Sequence, residues 1–248
     1  MRTMNQRFSK SLRASVALIL SLAVLASVAS FAGTRAHSQE IQTRAQFLHA
    51  GPGVGKVEVH INNNGVLDEF TYGTTSKWIN VDPGIARVTI TQDRAGFNWV
   101  IMDSAYPITA GNDYNFIITD VLTMSSEITR APLASGMARA QIVHASVDTP
   151  AVDVAVVGTD KMVQGLQYSR RSAEVDVPAG TYDLEVRQAG TTTVLATVSG
   201  VNLEAGKVYE LVLMGEPGSE DKPITITPLV DDVMPGTPTA SPEASPAS

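Results

Sequence analysis

The sequence predicts an all-β protein made of two tandem immunoglobulin- or transthyretin-like β-sandwich modules. Three observations carry this reading. Apolar and polar residues alternate in short runs, turn residues fall between the runs, and the whole pattern occurs twice. Strict alternation marks a strand with one buried face. Short strands at regular spacing, divided by Pro and Gly, argue for a sandwich. No segment shows a helical period.

The duplication is collinear. Arg44-Ala45-Gln46-Phe47-Leu48-His49-Ala50 returns as Arg139-Ala140-Gln141-Ile142-Val143-His144-Ala145. Val57, Val59 and Ile61 return as Val152, Val154 and Val156, predicted to face inward. Val88 and Ile90 correspond to Leu184 and Val186, also inward. Tyr72 and Ser76 return as Tyr168 and Ser172. Tyr114, Phe116 and Ile118 return as Tyr209, Leu211 and Leu213. Asn115 and Glu210 fall between them, on the face expected to meet solvent. Asp82-Pro83-Gly84 and Pro178-Ala179-Gly180 supply Pro to set φ and Gly84 and Gly180 to permit positive φ. Asn62-Asn63-Asn64-Gly65 reads as a hairpin loop. These matches bound module 1 at residues 43–121 and module 2 at 138–230, with residues 122–137 expected as a linker.

The ends differ in character. Arg2, Arg7, Lys10 and Arg13 precede an uncharged apolar run ending in small residues near Ala32 and Ala36. That is the layout of a signal peptide over residues 1–36. The run is also long enough for an uncleaved anchor, the one membrane attachment the sequence suggests. Residues 234–248, rich in Pro, Ser, Thr and Ala, are expected to be a disordered tail. From His37 onward the chain holds 25 acidic and 13 basic residues, a formal charge of −12. Such a surface repels phosphate backbones, so no nucleic-acid partner is expected. There is no cysteine, which excludes disulfides, thiol catalysis and thiolate metal sites.

Arg139 to Ser146, followed by Asp148-Thr149-Pro150-Ala151-Val152-Asp153-Val154, resembles the opening motif of the domain-of-unknown-function family 4397 (DUF4397). Pro178-Ala179-Gly180-Thr181-Tyr182 and Leu203 to Tyr209 resemble its later segments. The resemblance spans nearly all of both modules. It implies exported or surface-attached bacterial proteins and no catalytic residues. Copy two has Val147 where the family usually has Pro. Copy one replaces the Asp148 loop with Gly51-Pro52-Gly53-Val54-Gly55-Lys56.

Candidate site residues are few. His49 and His144 end the first strand of each copy on the inward face. There, a neutral imidazole can donate to a backbone carbonyl; one such histidine per copy is too few for zinc, and His37 and His60 do not repeat. Asp148 is expected to accept loop N–H bonds, and Asp153 to lie on a polar strand face. Two aspartates are too few for calcium. Trp78 aligns with Glu174 on the outer face and marks a possible binding surface, while Trp99 defaults to the core. Lys77, Arg87 and Arg94 read as surface charges. No Gly-x-Ser-x-Gly elbow or inward carboxylate pair is present. The expectation is a non-catalytic exported protein, structural, adhesive or used for display, without cofactor. Its partner would be an extracellular protein or glycan. The alternatives are a soluble carbohydrate- or peptide-binding protein using the outer face of module 1, and an unrecognised hydrolase.

Overall fold

Alternation, turns and duplication together build eight strands per copy, in one repeated order. A computed structural model describes residues 42–128, 131–159 and 161–232. The predicted signal segment and tail lie outside these. In module 1 the strands are β1 (Arg44–His49), β2 (Val57–Ile61), β3 (Asn64–Phe70), β4 (Ile79–Asn80), β5 (Gly84–Arg94), β6 (Phe97–Ile108), β7 (Asp113–Ile118) and β8 (Thr123–Glu127). Module 2 has β9 (Met137–His144), β10 (Val152–Val156), β11 (Lys161–Leu166), β12 (Val175–Pro178), β13 (Gly180–Gln188), β14 (Val194–Leu203), β15 (Lys207–Met214) and β16 (Thr225–Asp232). No helix occurs among the described residues, so none there crosses a membrane as a helix.

Each module is two four-stranded sheets. In module 1 the orders are β4-β1-β7-β8 and β3-β2-β5-β6; in module 2 they are β12-β9-β15-β16 and β11-β10-β13-β14. The first strand of each copy runs parallel to the seventh, β1 to β7 and β9 to β15. The inward residues of both sheets fill each sandwich. Phe47 stacks on Phe116 at 5.0 Å in module 1, among Val57, Val59, Val88 and Ile90. Ile142, Val152, Val154, Leu184, Val186 and Leu211 do the same in module 2.

The repeated polar residues are explained by backbone pairing. Ser76 Oγ accepts from Phe47 N at 2.9 Å and Ser172 Oγ from Ile142 N at 3.0 Å. Gln46 and Gln141 donate to the carbonyls of the same two serines. The segment before β4 and that before β12 are thus pinned alike to the first strand. Tyr114 Oη accepts from Thr109 N, and Tyr209 Oη from Glu204 N, both at 2.8 Å. This is the tyrosine corner of sandwich folds, and it accounts for the repeated Ala-Gly-x-x-Tyr. The hairpin turn after β2 places Asn62 and Asn63 at φ 51° and 67°, the pattern of a two-residue primed turn.

Three expectations are corrected. The stretch expected as a linker contains β8, which pairs with β7 and completes the sheet of module 1. Gly84 has φ 125°, but Gly180 is not at positive φ, and a Cβ there would only touch the Tyr182 ring at 3.8 Å. The face carrying Asn115 and Glu210 does not meet solvent. It meets the other module, within one compact unit that spans both copies.

That junction is a second core. Leu48, Ala50, Ile117 and Met124 from module 1 pack with Val143, Ala145, Val212, Met214 and Leu229 from module 2. At its centre Glu210 Oε2 accepts from Asn115 Nδ2 at 2.8 Å and from Ser126 Oγ at 2.7 Å, while Arg171 Nε lies 3.2 Å from Oε1. Asn115 and Glu210 are the same position of the repeat, now bonded to each other. Thr119 and Tyr168 join by their hydroxyls at 2.8 Å. Lys222 donates to Pro52 O and sits over the Tyr72 ring. The result is four stacked sheets, the inner two buried on both faces.

Candidate functional site

The copies diverge most at one hairpin. β5 and β6 have 11 and 12 residues, whereas β13 and β14 have 9 and 10. The extra pairing keeps the hairpin of module 1 laddered up to a two-residue turn, where module 2 opens into a loop at residues 189–193. Its turn is Ala95-Gly96, at φ 58° and 83°, with Gly96 N donating to Asp93 Oδ1 at 2.8 Å. The primed geometry matches strand twist and keeps the two strands paired to the tip.

A bulge sets which side each residue takes. Ile90 pairs with Met102 but Thr91 pairs with Val100, leaving Ile101 as the extra residue. Beyond it Gln92 opposes Trp99 and Arg94 opposes Phe97. Directly opposed residues share a face, so these four side chains project together. No second sheet reaches that far. Phe97 is 72% exposed, Trp99 58% and Val100 59%. Trp99 was expected in the core; the structure places it on the surface.

The opposite face of the hairpin is braced. Glu58 Oε2 accepts from Thr91 Oγ1 at 3.2 Å and from Asn98 Nδ2 at 3.1 Å. His60 Nε2 lies 3.3 Å from Thr91 Oγ1. Gln92 and Arg94, on the same face as the two rings, also line a hollow of about 240 Å³ with Gly53, Val54, Ile101, Met102 and Asp120. Arg94 Nε donates to Gln92 Oε1 at 2.9 Å. The glycine loop forms one wall. Asp120 Oδ1 accepts from Gly53 N at 2.7 Å and Val54 N at 3.1 Å. A Cβ on Gly55 would lie 3.0 Å from Gln92 Nε2, so the glycine gives Gln92 its room.

The other sequence candidates are structural in their surroundings. His49 and His144 are fully buried. Their Nε2 atoms donate to Gly55 O at 3.0 Å and Pro150 O at 3.1 Å. Burial pushes both imidazoles below their ordinary pKa, which keeps them neutral. Neither Nδ1 has a hydrogen-bond partner. Trp78 is half-buried, with the Arg44 guanidinium 4.8 Å from its ring centre. Arg44 is itself held by Asp113 and lies 3.5 Å from Asp231 across the module junction.

Asp148 is exposed, and its loop is closed instead by Ser146, which bonds Thr149 and Gly215 O. Asp153 is buried rather than solvated. Its two oxygens accept from Gly165 N at 2.8 Å, in the irregular edge strand β11, and from Gly190 N at 3.0 Å, in the β13–β14 loop. Among the described residues no group of three or more His, Asp or Glu is placed to hold a metal. A larger hollow of about 490 Å³ runs beside β11 and Arg170 to Val175 in module 2. It has no aromatic lining, and its Leu166 and Gly165 belong to an open sheet edge.

Fold and surface thus define a tandem β-sandwich protein whose copies share a core and differ at one projecting hairpin. The chain belongs to the family described as Domain of unknown function (DUF4397), matched at residues 43–155 and 138–241. The first match runs on into β10, beyond the β8 strand that closes module 1. No curated protein matches the chain. Among solved structures it aligns with a candidate cell adhesion protein from Bacteroides fragilis NCTC 9343, at 8% identity. That alignment covers 77% of this chain and 97% of the other, with a TM-score of 0.19, too low to define a shared fold.

Proposed function

We propose that the protein is a non-catalytic, exported bacterial protein that makes extracellular contacts, in adhesion or display, through the β5–β6 hairpin of module 1. The observation that carries this is the braced hairpin with Phe97, Trp99 and Val100 exposed at its end. Exposed aromatic clusters of this kind characterise contact surfaces. Module 2 and the shared inner layer serve as the rigid base. The histidines, packed, neutral and bonded to backbone carbonyls, favour binding over hydrolysis. The signal-like N-terminus supports export.

Two measurements test the reading. Fractionation with N-terminal sequencing should find the native protein outside the cytoplasm, beginning at Gly33 or His37. Beads coated with the purified protein should adhere to the producing cells, and Phe97→Ser with Trp99→Ser should abolish adhesion. A cytoplasmic protein retaining Met1, or adhesion indifferent to both substitutions, would overturn it.

A further inference from the structure

We propose, on the basis of that contact reading, that the hollow between the hairpin and the glycine loop, with the hairpin face beside it, is a glycan-binding site. Phe97 and Trp99, paired with Arg94 and Gln92 on that face, form the stacking platform, and Gln92, Arg94 and Asp120, which line the hollow, bond sugar hydroxyls. The inference rests on what lies beside the rings. An apolar partner would cover the amide, guanidinium and carboxylate without replacing their water, which is unfavourable. A sugar presents C–H faces to aromatic rings and hydroxyls to polar groups, matching both halves of this surface. The acidic body opposes an anionic lipid surface.

The site is built in advance. Thr91 and Asn98 tie the far face of the hairpin to Glu58, and Arg94 holds the Gln92 amide. Asp120 fixes the opposing loop through Gly53 and Val54. Little ordering is left for a ligand to impose. Module 2 supplies an internal contrast. Asp153 occupies the repeat position of Glu58 but caps Gly165 and Gly190, and the hairpin there carries no ring at its tip. The platform is a property of copy one.

Trp78→Phe leaves Trp99 as the sole indole, so its emission reports on the platform. The protein is titrated with cellohexaose, chitohexaose, xylohexaose and mannohexaose, and with phosphatidylcholine vesicles and a casein digest. Retention of the otherwise unchanged protein on insoluble peptidoglycan, chitin and cellulose is measured in parallel. The expected result is a saturable blue shift with at least one glycan. Trp99→Ala and Gln92→Ala should each weaken retention by roughly tenfold, with thermal unfolding unchanged. No shift with any glycan, a shift only with vesicles or peptides, or retention unaffected by Trp99→Ala would overturn the proposal. Bead adhesion that depends on Phe97 and Trp99, beside a silent glycan panel, would reject the glycan and leave the contact reading standing. Loss of both rejects both.

Discussion

Leu48→Ala probes whether the two modules are one folding unit. Leu48 is fully buried, yet it does not belong to its own module's core. Its neighbours Phe47 and His49 point into module 1, while Leu48 points at Val143, Val212 and Leu229 of module 2. The substitution removes three carbons from the inner layer. At about 0.8 kcal/mol per buried carbon the transfer loss is about 2.4 kcal/mol. The residual cavity adds to it, because two sheets held by their own hydrogen bonds cannot collapse freely. The expected total is about 3–4 kcal/mol. For a body of this size that lowers the melting temperature by roughly 5–15 °C. Calorimetry should show one transition in wild type and variant, displaced as a whole. Amide exchange should accelerate in β10 and β13, which Leu48 does not touch. Two separable transitions, or unchanged protection in module 2, would refute the reasoning and make the inner layer a loose contact.

Three further outcomes follow from the same structure. Glu210→Ala leaves Arg171, Asn115 and Ser126 around an empty site and should destabilise by about 3–5 kcal/mol; Glu210→Gln should cost clearly less in urea unfolding. His49 and His144 have folded-state pKa values held below the ordinary 6.5 by burial. The unfolded chain therefore binds protons first as pH falls. Their contribution is intact above 6.5 and is lost as pH drops toward the folded pKa values. Urea midpoints should fall between about pH 7.5 and 5.5, and His49→Gln with His144→Gln should flatten that slope. Gly215 has φ 106°, and a Cβ there would lie 2.2 Å from Pro223 O. Gly215→Ala should cost about 3 kcal/mol or more, seen as a lower melting temperature or loss of soluble protein.

The cores of both sandwiches were legible because alternation and duplication check each other. Val57, Val59 and Ile61 face inward as their counterparts Val152, Val154 and Val156 predict. The inner layer was not, because alternation reports that one face is buried without saying how many are. The signal was present nonetheless. β7 reads Tyr-Asn-Phe-Ile-Ile and β15 reads Val-Tyr-Glu-Leu-Val-Leu-Met, with Ile117, Val212 and Met214 apolar on the side assigned to water. Strands buried on both faces read as continuous apolar runs. A single Asn or Glu inside such a run is a paired core residue, not a mark of solvent. Asp153 was misread for the same reason. A carboxylate on an outward strand face can still be buried when an irregular edge strand and a loop use its oxygens.

The hairpin escaped for a different reason. Alternation counted back from Met102 breaks at Ile101, since the bulge adds one residue to β6 and none to β5. One extra residue exchanges the two faces for everything beyond it. Phe97 and Trp99 thereby join Gln92 and Arg94 instead of Glu58 and Thr91. The duplication could not correct the faces at the tip: module 2 repeats the bulge, with Val186 paired to Ala196 and Arg187 to Val194, but its loop at residues 189–193 has no aromatic residue to compare. Trp78, by contrast, kept a clean register and so looked more informative than it is, since register says nothing of Arg44 lying across the ring. Collinear repeats constrain the positions that both copies share, which here are the packed ones. A surface acquired by one copy falls where the alignment fails, and in this chain that failure coincides with the hairpin tip and the glycine loop facing it.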